Sequence, residues 1–415
     1  MSRVIFHVDV NSAFLSWSAA YRVRVLGERE DLRGIPSAVA GERAERHGII
    51  LAKDQMARAA GVRTGMTLWA ARQQCPELTI LPPDFELYYD YSRRVREIYA
   101  GFTDRCEPFG MDECWLDMTG CVGREDALRT AQEVRQRVLD ATGLTVSVGV
   151  SWCKAIAKLG SDYRKPNAVT VIDRARFADM VWPLPVSSLL FAGRSSVRQL
   201  ERLGIRTVGA LAAADADVLE QRLGKGGRLL HAYANGYDPA PVHRIADLPP
   251  PKSIGNSATA PRDLICEADA RAALLSLAES VGARLRLEGY QCRTVELSVR
   301  TADLHWRSHR MALRHPSDLT SELLDAALAL CEQAHLWPDP LRSIGIRALD
   351  LVPACAPHQL DLFEDAEHRA RQRQLDITLD NLRARYGKTC VLRGRACFDP
   401  ALGLVQREEH AFLRK

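Results

Sequence analysis

Between Val4 and Val10 apolar and polar residues alternate with the period of a half-buried strand. The run ends in Asp9-Val10-Asn11-Ser12, where Asn11 or Ser12 is placed to cap a helix reaching about Gly27. Within residues 30 to 78, the segment HGIILAKDQMARAAGVRTGMTLWAARQQCP predicts a short strand, a helix closed by Gly61 and a further helix from about Thr67. From Leu78 strand and helix alternate again: LTILPP, a long helix through FELYYDYSRRVREIYAGF, a hairpin around FGMDECWLDMTG, the helix REDALRTAQEVRQRVLDATG, the strand LTVSVGVSW and the helix KAIAKLGSDY. Helices alternating with an antiparallel hairpin predict an α+β sheet domain. Beyond Asp173 the texture changes, and residues 180 to 240 read as short helices punctuated by glycine, without a strand. The Pro-rich DLPPPKS, 247 to 253, reads as a linker. After it a strand, a helix over 267 to 288, two strands over 292 to 314, a helix over 317 to 336 and a strand at 342 to 352 form one βαββαβ-like unit. The tail from Ala354 is charged and helical in places.

A chain of 415 residues is too long for one ordinary core and predicts roughly two to four domains. The formal charge of +4 is mild, so any basic surface must come from its distribution. Eleven cysteines lie scattered with no CxxC pair, which speaks against zinc and for reduced thiols. The apolar run at the start is broken by Asp9 and is too short for a signal segment, and no later stretch reaches spanning length. A soluble cytoplasmic protein is expected.

Residues 109 to 120, FGMDECWLDMTG, set Asp112 and Glu113 side by side in an otherwise buried pattern. Neighbouring strand residues face opposite ways, so both carboxylates cannot share one core without a large desolvation cost. A bound cation, a sharp turn between strands or simple exposure would each resolve this. Asp9 ends another predicted strand, and the two strands can be neighbours in one sheet. Three hard oxygen donors at an open site suit Mg²⁺, and two such ions can hold the attacking and leaving oxygens of an in-line phosphoryl displacement. The alternative is that Asp9 caps the following helix and the acid pair is an exposed turn. Lys154, Lys158 and Lys165 cluster around the last strand–helix unit, where they can neutralise a polyphosphate.

The segments HVDVNSAF, ILAKDQMARAAGV, MDECWLD, GVSWCKAIAKLGSDYRKPN and QLDLF, in this order, resemble the Y-family translesion DNA polymerases, on the DNA polymerase IV branch. The resemblance covers nearly the whole chain. It implies a multidomain α+β right-hand fold with a palm of mixed or antiparallel sheet plus helices over 1–29 and 79–173, and small fingers over 30–78. A helical thumb over 174–246, a linker over 247–253, a βαββαβ little finger over 254–353 and a tail over 354–415 complete it. It further implies Asp9 and Asp112 as metal-bridging aspartates, Glu113 as the third carboxylate and the carbonyl of Val10 as a further ligand, with two Mg²⁺ per active site. Phe14 matches the aromatic gate that excludes a nucleotide's 2′-hydroxyl, and Arg58 and Lys165 match residues that contact the triphosphate. Four positions depart from the family's pattern: Asn11 stands for its second acid, Gly110 for a serine, Gln55 for a tyrosine and Cys153 for an asparagine. None removes a metal ligand, and Lys53 is close enough in sequence to Gln55 to substitute.

FAGRSSVRQLERLGI resembles a helix-hairpin-helix, in which the turn at Gly193 presents backbone N–H groups to a phosphate, although Ser195 replaces a second glycine. Arg284, Arg286, Arg293, Arg300, Arg307, Arg310 and Arg314 fall close together with Trp306 among them. Placement at period two can turn several to one face, a solvated face or a phosphate track, and the position after palm and thumb favours DNA for Arg293, Arg300, Arg307 and Arg310. Gln359, Leu360, Leu362 and Phe363 belong to a peptide that resembles the sliding-clamp-binding motif, where glutamine hydrogen-bonds and leucine and phenylalanine fill apolar pockets. The expected function is template-directed, low-fidelity translesion DNA synthesis. The expected partners are primer–template DNA, dNTPs and the clamp, with no membrane, and a monomer is expected. An accessory relative that binds DNA and clamp without catalysis is the alternative, against which the retained acids speak. A nucleotide cyclase or another nucleotidyltransferase would share only the palm.

Overall fold

The alternation at the start of the chain forms β1 (Ile5–Val10), every residue of which is buried. The chain then turns at Ser12, in the left-handed region at φ 49°, into α1 (Ala13–Arg24). Ser12 holds the N-cap position, but its side chain does not cap the helix; the side chain of Asn11 is engaged elsewhere, as described below. β2 (Ser37–Ala40) and β3 (Ile50–Lys53) lead to α2 (Gln55–Ala59), where the Asp54 carboxylate accepts from the N–H groups of Met56 and Ala57. α3 (Leu68–Gln74), capped by Thr67, and β4 (Thr79–Leu81) follow. Then come α4 (Phe85–Ala100), the hairpin of β5 (Cys106–Phe109) and β6 (Glu113–Asp117), α5 (Ala127–Thr142), β7 (Val146–Ser151), α6 (Lys154–Tyr163) and β8 (Val169–Val171). Helices alone fill the next region: α7 (Phe177–Val181), α8 (Arg194–Arg202), α9 (Val208–Ala212), α10 (Ala216–Leu223) and α11 (Lys225–Ala234).

This computed structural model describes residues 3–41, 48–123, 125–334, 336–337, 339–356, 365–387, 389–394 and 400–403. They fall into two compact units, drawn chiefly from Met1–Gly41 with Ile49–Leu248 and from Pro249–Ala411.

In the first unit, β5-β6-β1-β7-β8 make a mixed five-stranded sheet, antiparallel except for β7 with β8. Even-numbered residues of β1, Phe6, Val8 and Val10, join a core with Tyr88, Tyr91 and Val95 of α4 and Ala131, Val134 and Val138 of α5. Odd-numbered Ile5 packs with Trp115 and with Ala157 of α6 on the other face. Both faces are covered, which is why β1 is buried throughout. β3-β2-β4 form a separate small sheet. It takes in Thr79–Leu81, three residues past the boundary expected from the sequence, because β4 pairs in parallel with β2.

The second unit follows the expected order: β9 (Ser253–Leu264), α12 (Glu267–Glu288), β10 (Tyr290–Thr301), β11 (Trp306–Ser317), α13 (Thr320–Gln333) and β12 (Leu341–Pro353). The sheet order is β11-β10-β12-β9, with α12 and α13 contributing to the core on one face. The tail adds α14 (Ala366–Tyr386) and α15 (Pro400–Gly403), and Leu402 enters the same core.

Candidate active site

Antiparallel pairing of β1 with β6 sets Asp9 directly opposite Glu113. The N–H of Val10 donates to the carbonyl of Asp112 at 3.0 Å. Of the three explanations for the adjacent acids, the turn holds: Asp112 lies in the bend between β5 and β6, and Glu113 is the first residue of β6. Gly110, at φ 79°, carries the chain into that bend, a conformation in which a serine would be strained.

Residues of α6 and the loop after it reach the same ends of β1 and β6, and a glycine decides how closely. A Cβ on Gly149 of β7 would fall 1.9 Å from the carbonyl oxygen of Ala157 and 2.3 Å from the backbone nitrogen of Ser161, so only glycine lets α6 lie this close. Lys158 Nζ thereby stands 3.2 Å from Asp9, 3.0 Å from Glu113 and 3.1 Å from Asp162. Lys165 Nζ stands 2.6 Å from both Asp9 and Asp162. The loop that carries Lys165 is pinned by Asn11, whose side chain donates to Ser147 Oγ at 2.9 Å and accepts from the Asn167 N–H at 2.8 Å. The amide standing in place of a second acid therefore serves the architecture, tying β1 to β7 and to the lysine loop. Buried His7, two residues before Asp9, faces Ser161 Oγ at 2.8 Å and approaches Glu113 to 3.2 Å without hydrogen-bond alignment.

Charge balance among the acids is uneven. Burial raises the Asp9 pKa above its usual value, although the Lys165 and Lys158 ammonium groups oppose that shift. Burial also works against the Glu113 carboxylate, but His7 and Lys158 outweigh it and hold the group down at about 2. Asp112 has no basic partner at ion-pair distance among the described residues, and burial together with the charges of Asp9 and Glu113 pushes it up to about 6. Lys158 and Lys165 stay above the usual lysine value despite burial, because Asp9 and other acids surround them.

Among the described residues no three His, Cys, Asp or Glu side chains are gathered closely enough to hold a metal ion; lysines occupy Asp9 and Glu113 instead. The donor set nevertheless fits a hard divalent cation. Asp9, Asp112 and Glu113 supply oxygen only, Asp9 and Glu113 face each other on paired strands with Asp112 in the adjoining bend, and Asp112 carries a half-buried charge that no described residue neutralises by an ion pair.

Phe14, in the first turn of α1, is half-buried and stacks on Tyr88 of α4 with ring centroids 4.8 Å apart and planes 6° from parallel. Phe85 meets it edge-on at 5.7 Å. In the small sheet region, Arg58 is exposed on α2, and Lys53 at the end of β3 has its pKa lowered by burial and by the nearby Arg58 charge. Gln55 is exposed. Gly193 lies at the N-cap of α8. In the second unit, Arg300 and Arg310 project from the sheet face turned away from α12 and α13. Arg293 sits at a bulge of β10, and Arg307 pairs with the inward-facing Val299 and lies 3.8 Å from Asp339. Gln359, Leu360, Leu362 and Phe363 lie outside the described residues.

Four residues at this site escaped the sequence reading of roles. Ser161 and Asp162 share a helix face with Lys158 at spacings of three and four, and His7 shares a strand face with Asp9; both periodicities were visible. Tyr88, the support behind Phe14, left no such signal.

Residues 8–162 match the impB/mucB/samB family, and residues 251–362 match the C-terminal domain of that family. The DNA polymerase IV of Acetivibrio thermocellus is 40% identical over 98% of this chain and 100% of its own length. DNA polymerase IV 1 of Bacillus subtilis is 37% identical over 95% of this chain and 93% of its own. Among solved structures, a Y-family DNA polymerase chimera of Dbh and Dpo4 has the same fold, with a TM-score of 0.74 at 22% identity over 84% of this chain and 99% of its own. With both family segments present and full-length relatives at this identity, the chain belongs to the impB/mucB/samB family of Y-family polymerases, on the DNA polymerase IV branch, and is a DNA-directed DNA polymerase.

Proposed function

We propose that this polymerase performs translesion synthesis of low fidelity by two-metal nucleotidyl transfer, with Mg²⁺ held by Asp9, Asp112, Glu113 and the carbonyl of Val10. The observation that supports the reading is the pairing of Asp9 with Glu113 across β1 and β6, with Asp112 in the adjoining bend and Lys158 and Lys165 beside Asp9. Bound there, the metal lowers the pKa of the primer 3′-hydroxyl and neutralises charge on the reacting phosphate. The chain's own groups do the rest. Lys165, Arg58 and Lys53 hold the triphosphate, and Phe14, backed by Tyr88, fills the space a 2′-hydroxyl needs. Catalysis is then positioning and charge neutralisation.

Small fingers support low fidelity: among the described residues there, helices of five and seven residues and three short strands offer few side chains to test the nascent base pair. Template and primer are held without regard to sequence, by backbone N–H groups at Gly193 and by Arg293, Arg300 and Arg310, whereas Arg307 stands on the opposite side of β11 and can reach a phosphate only past the sheet's rim. Gln359, Leu360, Leu362 and Phe363 tether the monomeric enzyme to a sliding clamp.

Primer extension on undamaged and abasic templates, by the natural protein and by Asp112→Ala, tests the reading. Extension past the abasic site is expected from the natural protein, with a loss of at least about a hundredfold in the variant, the scale on which removing a group that stabilises transition-state charge acts. Equal extension by the two proteins would refute it.

A further inference from the structure

The sheet face turned away from α12 and α13 is laid out in rows that run across the strands. One row is Arg310 of β11, Glu296 of β10 and Arg347 of β12, each in register with the next. The adjacent row is small and polar: Ser308, Ser298, Gly345 and Ser257. Beyond it Trp306 pairs with Arg300, whose guanidinium carbon lies 5.6 Å from the indole ring centroid. Two cationic rows thus flank a smooth hydroxyl floor, a surface suited to a phosphodiester backbone.

Glu296 is the odd member. It is 4% exposed at the centre of the face, 2.6 Å from Arg310 and 3.3 Å from Arg347, while both arginine side chains remain more than half exposed. A buried carboxylate needs partners, so the two guanidinium groups are committed to it on their inner side. A phosphate approaching from outside meets two positive charges and one negative. Arg300, in the flanking row, has no carboxylate partner among the described residues.

We propose that Glu296 attenuates DNA binding: it cancels half the charge of the Arg310–Arg347 pair, so this face grips the duplex loosely and releases it readily. The proposal rests on the reading that this face holds DNA. A purely structural carboxylate would show itself differently, because removing it would loosen the sheet and weaken the grip.

The test is fluorescence anisotropy of a labelled primer–template duplex with the full-length chain, at about 0.1 M NaCl, where exposed charges are felt over roughly 10 Å, and at higher salt. Glu296→Gln is expected to bind about three- to tenfold tighter, the effect of one nearby unit charge in a water-like dielectric on one or two phosphates, with the gain shrinking as salt rises. Arg347→Gln is expected to lose less affinity than Arg300→Gln. Unchanged or weaker binding by Glu296→Gln, alongside a loss in Arg300→Gln, overturns attenuation and leaves the DNA-holding face standing. Unchanged binding in Glu296→Gln, Arg300→Gln and Arg310→Gln together overturns both. If Glu296→Gln does not fold, the arginine comparison decides, and equal losses from Arg347→Gln and Arg300→Gln overturn the proposal.

Discussion

Asp112 is the acid the fold tolerates least, since burial and two neighbouring carboxylates act against its charge and no described lysine comes within ion-pair distance of it. Its folded pKa of about 6 lies above that of an unfolded aspartate, so the ionised group destabilises the metal-free protein near neutral pH. That cost falls away as the pH drops from about 6 toward the unfolded value of about 4. Thermal denaturation in a chelating buffer should therefore find Asp112→Asn more stable than the natural protein at neutral pH and indistinguishable from it near pH 4; equal melting points across the range would show that the site does not penalise this charge. Phe14 is held by contact rather than charge. With the ring stacked on Tyr88 and abutted by Phe85, Phe14→Ala removes those ring contacts without touching the acids and, under the proposed function, opens the space beside the sugar. Ribonucleotide incorporation relative to deoxyribonucleotide should rise by at least about tenfold, and unchanged sugar selectivity would place the gate elsewhere. Residue types at Asp9, Asp112, Glu113 and Phe14 were legible in the chain. That lysines neutralise two of the acids and spare the third was not, because such pairing depends on distances between segments far apart in sequence.

Among the elements, α14 is the one whose place the sequence left unexplained. It has no apolar stripe, so nothing in its pattern says which face packs. It docks through charge. Arg286 of α12, with a side chain only 5% exposed, lies 3.3 Å from Asp376 and 2.7 Å from Asp380. Arg373 reaches buried Asp318 at 2.8 Å, and Arg369 reaches Glu322 at 2.8 Å. Asp376 also accepts from the Thr320 N–H at 2.9 Å, so the tail caps α13. Removing one partner from such a buried set costs far more than removing a surface pair. Asp376→Ala should destabilise the second unit by about 3 kcal/mol, while Arg371→Ala, on an exposed pair with Glu367, should be silent within error. Calorimetry reads both, and equal effects would mean that α14 adds no stability through these contacts. α6 teaches the complementary lesson. Its helical period was plain in KAIAKLGSDY, whereas its distance from the sheet was set by Gly149 on another strand.

At the scale of the whole molecule, a formal charge of +4 conceals strong local contrasts: a lysine-neutralised acidic cluster at strand ends in one unit and an arginine-rich sheet face in the other. Under the proposed function, retention on DNA depends on several weak holds acting together. Deleting Gln359 to Phe363 should bring the ratio of primer extension with the clamp to extension without it down to about one, as expected when a tether supplies effective concentration rather than a catalytic group; a ratio that stayed high would move the clamp contact to another segment. The sequence by itself determined the order of most elements, β2 and β8 excepted, the βαββαβ unit, the hairpin that carries the paired acids and the candidates for the reacting side chains, because periodicity and turn residues are local and five motifs in one order are specific. Only the tertiary structure decided that Asp9 faces Glu113, that Asn11 anchors the lysine loop, that Glu296 sits between two arginines and that the tail packs by ion pairs. Each of these is set by strand register or by contact between distant segments, and no local pattern along the chain encodes a distance across the fold.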